Sequence, residues 1–498
     1  MRLSFFIVAL VLLPLQGGAF AGAEPPARVL SVRAAIAAAA RQNPGLGAAV
    51  AEVDAAAARA VAAWGADDFL LDASARWLRS RRSIVAETPL LQPRQDNLLV
   101  ELALARPLPT GGLVGLRLSG ELDKGAYVSD LGGAAATSTS QLAVPSLQLF
   151  ASHPLLRGAG IAVARADRRR ARVGQDLAAL EREATAAQLV RAVVAACSEI
   201  WLGSEELEIR RALTDSARQQ LLAVEAAIGV GKQPRSASAE VKVAVALRED
   251  EAIAVEESLH GQTLELARLL GLPLDAAAAR LVVTGADETA GEPPRPEDAL
   301  AAAMERDPQL AAARARGGAA AIELEVGQNG LLPRLDLAVS GAARGYGTDL
   351  AAGLSALRQD RSYEVQVALV FQEPLGRHAA RGARDAAGAQ LHKARLTEAD
   401  VSAQIRAQVL RQLGLVESVQ RRLDALAEIV AAASLDLAAE RARFEVGRGT
   451  NFDVLRRQEE LAQARLHVAQ ARAEQRRALA SLEALTGAIL PHYGVVLR

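Results

Sequence analysis

The feature that most limits how this chain folds is a pair of long segments without a proline, Ile161 to Ile228 and His378 to Glu445, 68 residues each. Ala, Leu, Arg, Glu and Gln dominate both, and all are good helix formers. At about 1.5 Å per residue, each would reach on the order of 100 Å as one continuous helix, more than a single globular core houses. Leu423, Leu426, Val430, Ala433 and Leu437 step by three and four, the seam spacing of a left-handed coiled coil. Leu177, Leu180, Ala184 and Ala187 repeat the pattern in the first segment. Each segment runs into a pair of glycines, Gly229 with Gly231 and Gly447 with Gly449, and then a shorter helical stretch at about 235–270 or 453–486. Glycine adopts turn conformations that other residues resist, so each segment is expected to double back as an antiparallel helical hairpin.

The two halves resemble each other. "IAAAARQNPGL" at 36–46 parallels "LAAAMERDPQL" at 300–310, which brings Pro44 onto Pro308, and the same offset carries Asp72 onto Asp336. "HPLLRG" at 153–158 parallels "EPLGRH" at 373–378. The chain therefore reads as two copies of one unit, 24–284 and 299–498, joined by a Gly- and Pro-rich acidic linker at 285–298. Each copy is expected to hold a first helix, then strands (about 68–152 and 333–372), then a helical hairpin (161–272 and 378–487).

The strand expectation rests on alternation. "YEVQVALVF" at 363–371 sets Tyr363, Val365, Val367, Leu369 and Phe371 on one face against Glu364, Gln366 and Ala368 on the other, a period of two. "RLDLAVS" (334–340), "DASARWL" (72–78), "VELAL" (100–104), "VGLRLS" (114–119) and "LQLFA" (147–151) behave alike. One-sided alternation fits a soluble sheet packed on helices, and it also fits outer-membrane barrel strands with lipid-facing and lumen-facing residues. "LALARPLPTGGLVGLRLS" at 102–119 is hairpin-like and makes the first copy longer than the second.

The N-terminus favours the membrane setting. Met1-Arg2, the apolar run "LSFFIVALVLLPL" and the small residues of "GAFAGAE" have the layout of a secretory signal peptide over 1–23, with cleavage after Ala21 or Ala23. Beyond it no run of about 18 apolar residues occurs, so no helix of the mature chain is expected to span a bilayer. The one cysteine, Cys197, excludes an internal disulfide and reads as a small packing residue. With 57 Lys and Arg against 58 Asp and Glu, the formal charge of -1 argues against nucleic-acid binding.

No catalytic constellation emerges. "GVGK" at 229–232 lacks the earlier glycine of a phosphate loop, since Ala226 stands there, and Gln233 replaces its Ser or Thr. The six histidines, His153, His260, His378, His392, His467 and His492, have no paired metal-ligand spacing. The chain is expected to be no enzyme and to need no cofactor or metal.

The duplication, "RQNPGL" and "ERDPQL" near the start of each copy, "LLPRLDL" at 331–337 and above all "FEVGRGTNFDVLRRQEELAQAR" at 444–465 resemble the outer membrane efflux proteins, the TolC family of trimeric channel-tunnels. The resemblance covers nearly all of the mature chain. It implies an α+β fold, a homotrimer in which each chain gives four strands to a shared 12-stranded transmembrane barrel, and coiled-coil helices forming a periplasmic tunnel. It implies outer-membrane lipid, a periplasmic adaptor and an inner-membrane transporter as partners, in a tripartite pump or a type I secretion system. Gly229, Gly231, Val446, Gly447, Gly449 and Thr450 would then form the adaptor-docking turns, with Asp453, Arg456 and Arg457 at the periplasmic aperture. Asp453 matches an aperture-lining aspartate of the best-known members, whereas Arg456 stands where they carry a second aspartate. The competing expectation is a secreted structural or adhesion coiled coil with a soluble sheet and no outward apolar girdle.

Overall fold

The computed structural model describes residues 28–81, 90–130, 135–231, 234–274, 281–284, 294–360, 362–446 and 448–497. The signal segment, Gly447 and residues 285–293 of the expected linker lie outside them. In chain order the elements are β1 (Arg28–Ser31), α1 (Val32–Gln42), α2 (Pro44–Ala62), a 3-10 turn at Ala63–Asp67, β2 (Leu70–Arg81), β3 (Leu90–Pro107), β4 (Leu113–Asp130) and β5 (Ala135–Pro154). Next come α3 (Ile161–Ala164), α4 (Ala166–Gly229), α5 (Ala237–Leu270), β6 (Leu281–Thr284), α6 (Pro296–Arg306), α7 (Pro308–Asn329) and β7 (Arg334–Arg344). The chain closes with α8 (Leu350–Gln359), β8 (Tyr363–Gln372), α9 (His378–Glu445), α10 (Asn451–Leu485) and α11 (Ile489–His492). They divide into two compact units.

One unit comprises the sequence to Ala38, Val193–Thr289 and Ala425–Ala473. Its helical core is the seam of α9: Leu437 packs with Val454 and Leu461 of α10, flanked by Val430, Ala433 and Phe444. In this stretch of α9 the seam residues are the less exposed ones and the positions between them are exposed, as a heptad demands. Cys197 is fully buried here, and burial pushes its thiol up to about 12. β1 and β6 pair in parallel, Arg28 beside Leu281.

The other unit comprises Ala39–Ala192, Ala290–Asp424 and Glu474–Arg498. Its helices bury Ala299, Ala303, Leu310, Ile405, Val409 and Leu482 together. The two related proline motifs fold alike. Asn43 accepts from the Leu46 amide (2.9 Å), and Asp307 accepts from those of Gln309 and Leu310 (2.8 and 3.0 Å). Both caps have φ -66 and ψ 121, and a proline follows each at the first helical position.

This unit also holds a six-stranded antiparallel sheet in the order β2-β3-β4-β5-β7-β8. Every alternating segment of the sequence lies in one of these strands. The sheet departs from the four strands per chain that the family resemblance implies. The 102–119 hairpin is no appendage: its arms belong to β3 and β4, inserted between β2 and β5.

Directly opposed residues place Leu71, Ala73, Ala75 and Trp77 on the same face as Leu104, Leu102, Val100 and Leu98. That face continues through Leu116 and Leu118, then Leu149 and Leu147, to Val339 and Val367. Its large apolar side chains are exposed. The other face is polar: Asn97 bonds Glu121 (2.6 Å), Ser119 meets Ser146 (2.6 Å) and Arg117 bonds Gln148 (3.4 Å).

Three further departures have local causes. The first long helix breaks at Arg165, whose φ of -107 and ψ of 19 separate α3 from α4. Pro296, Glu297 and Asp298, expected in the linker, instead form the first turn of α6, where proline and acidic residues are favoured. Ala166–Gly229 contains an 18-residue window apolar enough to cross a bilayer, contrary to expectation, but more than half of it is buried inside the protein, which marks a core helix.

Candidate functional site: the two helix-reversal turns

The glycine pairs sit where α4 passes to α5 and where α9 passes to α10. At the first turn Val230 donates to the Ala226 carbonyl (3.3 Å) and Gly231 to that of Ile228 (3.0 Å). Gly231 has φ +73, the left-handed conformation that costs a side-chain-bearing residue most, and Gly229 ends α4 with open space around it. Pro234 lies ahead of α5, and Ser236 at the N-cap makes no side-chain capping bond.

The second turn is built differently. The Val446 amide donates to the Ala442 carbonyl (3.3 Å), and Arg448 to that of Arg443 (2.9 Å). A Cβ on Gly449 would stand 2.8 Å from Glu440 Oε1 and 3.2 Å from the Phe444 nitrogen, so this glycine is there for closeness. Glu440 is only 8% exposed and accepts from Arg443 Nη1 at 3.0 Å. Thr450 and Asp453 then form a reciprocal capping box. The Asp453 amide donates to Thr450 Oγ1 (3.2 Å), while the Thr450 amide and hydroxyl both donate to Asp453 Oδ2 (3.2 and 2.5 Å). These bonds, the hydroxyl first, hold the Asp453 carboxyl below the usual carboxylate range, with Arg457 and Arg456 adding to the effect.

Arg456 and Arg457 do not reach Asp453 directly. Both donate to Glu460 on their own helix, at 3.2 and 2.6 Å, and the Arg457 bond draws the Glu460 carboxyl down. All three are surface groups, so each pair is weak. Together the turns border one groove of about 930 Å³, with Val241 and Pro234 from the first hairpin facing Thr450, Phe452, Leu455 and Arg456 from the second.

Sequence reasoning missed the charges beneath this groove. Arg248 is 9% exposed, donates to the Leu213 carbonyl at 3.0 Å and lies 3.7 Å from Glu459 of α10. Burial lowers its pKa, opposed by Glu459 and Glu251. Arg210 of α4 also reaches Glu251 (2.8 Å) and Glu459 (3.7 Å), and Ser216 bonds Gln458 (3.1 Å). One signal could have found Arg248. Val241, Val245, Arg248 and Ala252 step by four, three and four, which puts an arginine at a seam position.

The fold of this chain is similar to those of solved outer-membrane proteins. VceC of Vibrio cholerae superposes with a TM-score of 0.65 at 17% identity, covering 92% of this chain and 96% of that one. CmeC of Campylobacter jejuni gives 0.65 at 12%, covering 92% and 86%. The open state of Neisseria gonorrhoeae MtrE gives 0.65 at 15%, covering 92% and 89%. By sequence, no curated protein matches the chain closely enough to count as a relative. Residues 299–488 match the family model described as outer membrane efflux protein.

Proposed function

We propose that the protein is an outer-membrane efflux channel and performs no chemistry itself. The observation that carries this reading is the sheet: one face apolar and exposed, the other polar, as strands between lipid and water require. Asp96 and Arg106 share the apolar face on β3 and bracket its leucines. Ten residues separate them, about 33 Å along the strand, or about 25 Å of membrane at the usual barrel tilt. Arg79 bonds Asp96 at one edge of the band beside Trp77, and Arg106 stacks over Phe69 at the other. The rival, a secreted coiled coil with a soluble sheet, predicted no such girdle.

The finer reading is a homotrimer with its helices in the periplasm. Gly229, Gly231, Val446, Gly447, Gly449 and Thr450 would meet a periplasmic adaptor that links the channel to an inner-membrane transporter. Asp453, Arg456 and Arg457 would line the closed aperture. Because Arg456 is already paired with Glu460 within its helix, closure by ion pairs between subunits would require exchange of that partner. In a planar bilayer, Asp453→Asn combined with Arg456→Ala should raise resting conductance, and unchanged conductance removes both residues from the gate.

The test of the whole reading is the native mass after extraction from purified outer membranes. A trimer recovered only with detergent is the expected result. A water-soluble species of another stoichiometry overturns it.

A further inference from the structure

We propose that each chain places six strands in the bilayer, so that the closed barrel of three copies holds eighteen strands rather than twelve. The inference rests on the trimeric channel reading and concerns the width of its outer-membrane segment.

The decisive strands are β3 and β4, which an insertion outside the membrane would leave free of the barrel's two-faced pattern. From Arg94 to Pro107 of β3, and over the facing Leu113–Ala126 of β4, they carry that pattern in unbroken register with their neighbours. Leu102 lies between Ala73 of β2 and Leu118 of β4, and Leu118 lies opposite Leu147 of β5. One residue along, Glu101 lies between Ser74 and Ser119 on the polar face. Leu98, Val100, Leu102, Leu104, Leu116 and Leu118 are each at least 36% exposed, on the same side as Val365 and Val367 of β8. The connecting turn is fixed to the β5 end, where the Gly160 amide donates to the Thr110 carbonyl (3.1 Å) and His153 meets the Thr110 hydroxyl (2.9 Å).

The sheet cannot remain open in lipid. β2 and β8 are its edges, twelve and ten residues long, and among the described residues neither has a strand on its outer side. Unpaired amides and carbonyls are not tolerated in hydrocarbon, so the edges must pair. One chain cannot pair them with each other. Eight strands leave an interior only just filled by side chains, and six would leave no space for Arg76, Glu101, Arg117 and Glu364. The occupant of each edge is therefore another copy of this chain, β2 of one against β8 of the next. At a common tilt, circumference grows with strand number, so the barrel is about half again as wide as one of twelve, on the order of 36 Å between backbones.

The test is a cryo-electron-microscopy reconstruction of the detergent-extracted full chain, with the strands of the membrane section counted. Eighteen strands with threefold symmetry and a β2–β8 seam between subunits is the expected result. A twelve-stranded barrel, whether a trimer with β3 and β4 outside the wall or a dimer of six-stranded sheets, overturns the inference. The trimeric form leaves the channel proposal standing. A particle without a closed barrel overturns both.

Discussion

The two helix reversals solve one problem by different means. Between α4 and α5 the backbone does the work: Gly231 turns left-handed in open space and the following helix begins without a side-chain cap. Between α9 and α10 side chains do it, with a capping box at Thr450 and Asp453 and a glycine pressed against the buried Glu440. The first turn therefore tolerates any residue that accepts a positive φ. The second tolerates few changes, because each group there answers another.

The comparison breaks most sharply at Gly449. A valine there must displace Glu440 and the backbone near Phe444, at a cost of about 3 kcal/mol. Amide exchange over residues 446–460 should accelerate while the first turn stays unchanged. Next comes Gly231→Val, which meets no atoms but strains the backbone by about 2 kcal/mol, read as faster exchange around residues 226–240. Gly231→Asn should recover most of that loss, because asparagine accepts the left-handed conformation.

Thr450→Ala should cost about 1 kcal/mol at neutral pH, whereas Ser236→Ala should change protection by less than about 0.5 kcal/mol. Equal effects would abolish the distinction between the turns. The threonine effect carries a pH signature. The Asp453 carboxyl is held below its unfolded value, so its contribution is complete above about pH 3.9 and is lost as pH falls through the lower folded value. Wild type and Thr450→Ala should therefore converge in exchange rate below that window.

The alternation at 363–371 and the leucine spacing at 423–437 were legible because each is local: a period of two or three-and-a-half already states which face is covered. The caps at Asn43 and Asp307 were not foreseen, although the proline after each suits a first helical position. The groove beneath the turns was hidden because Arg248 acquires its meaning from Leu213 and Glu459, which come from two other helices. The helix α8, which packs on β5 beyond the end of β7, was likewise not foreseen; no periodicity over so few residues announces it.

The sequence by itself determined the character of the elements: which stretches are helix, which alternate as strand, and where glycines turn the chain. Nearest-neighbour chemistry and side-chain periodicity suffice for those decisions. Only the tertiary structure decided that β3 and β4 stand within the sheet rather than beside it, and that β1 pairs with β6. Those outcomes depend on which backbone groups and charges meet across long separations in the chain, and that is settled by register and packing.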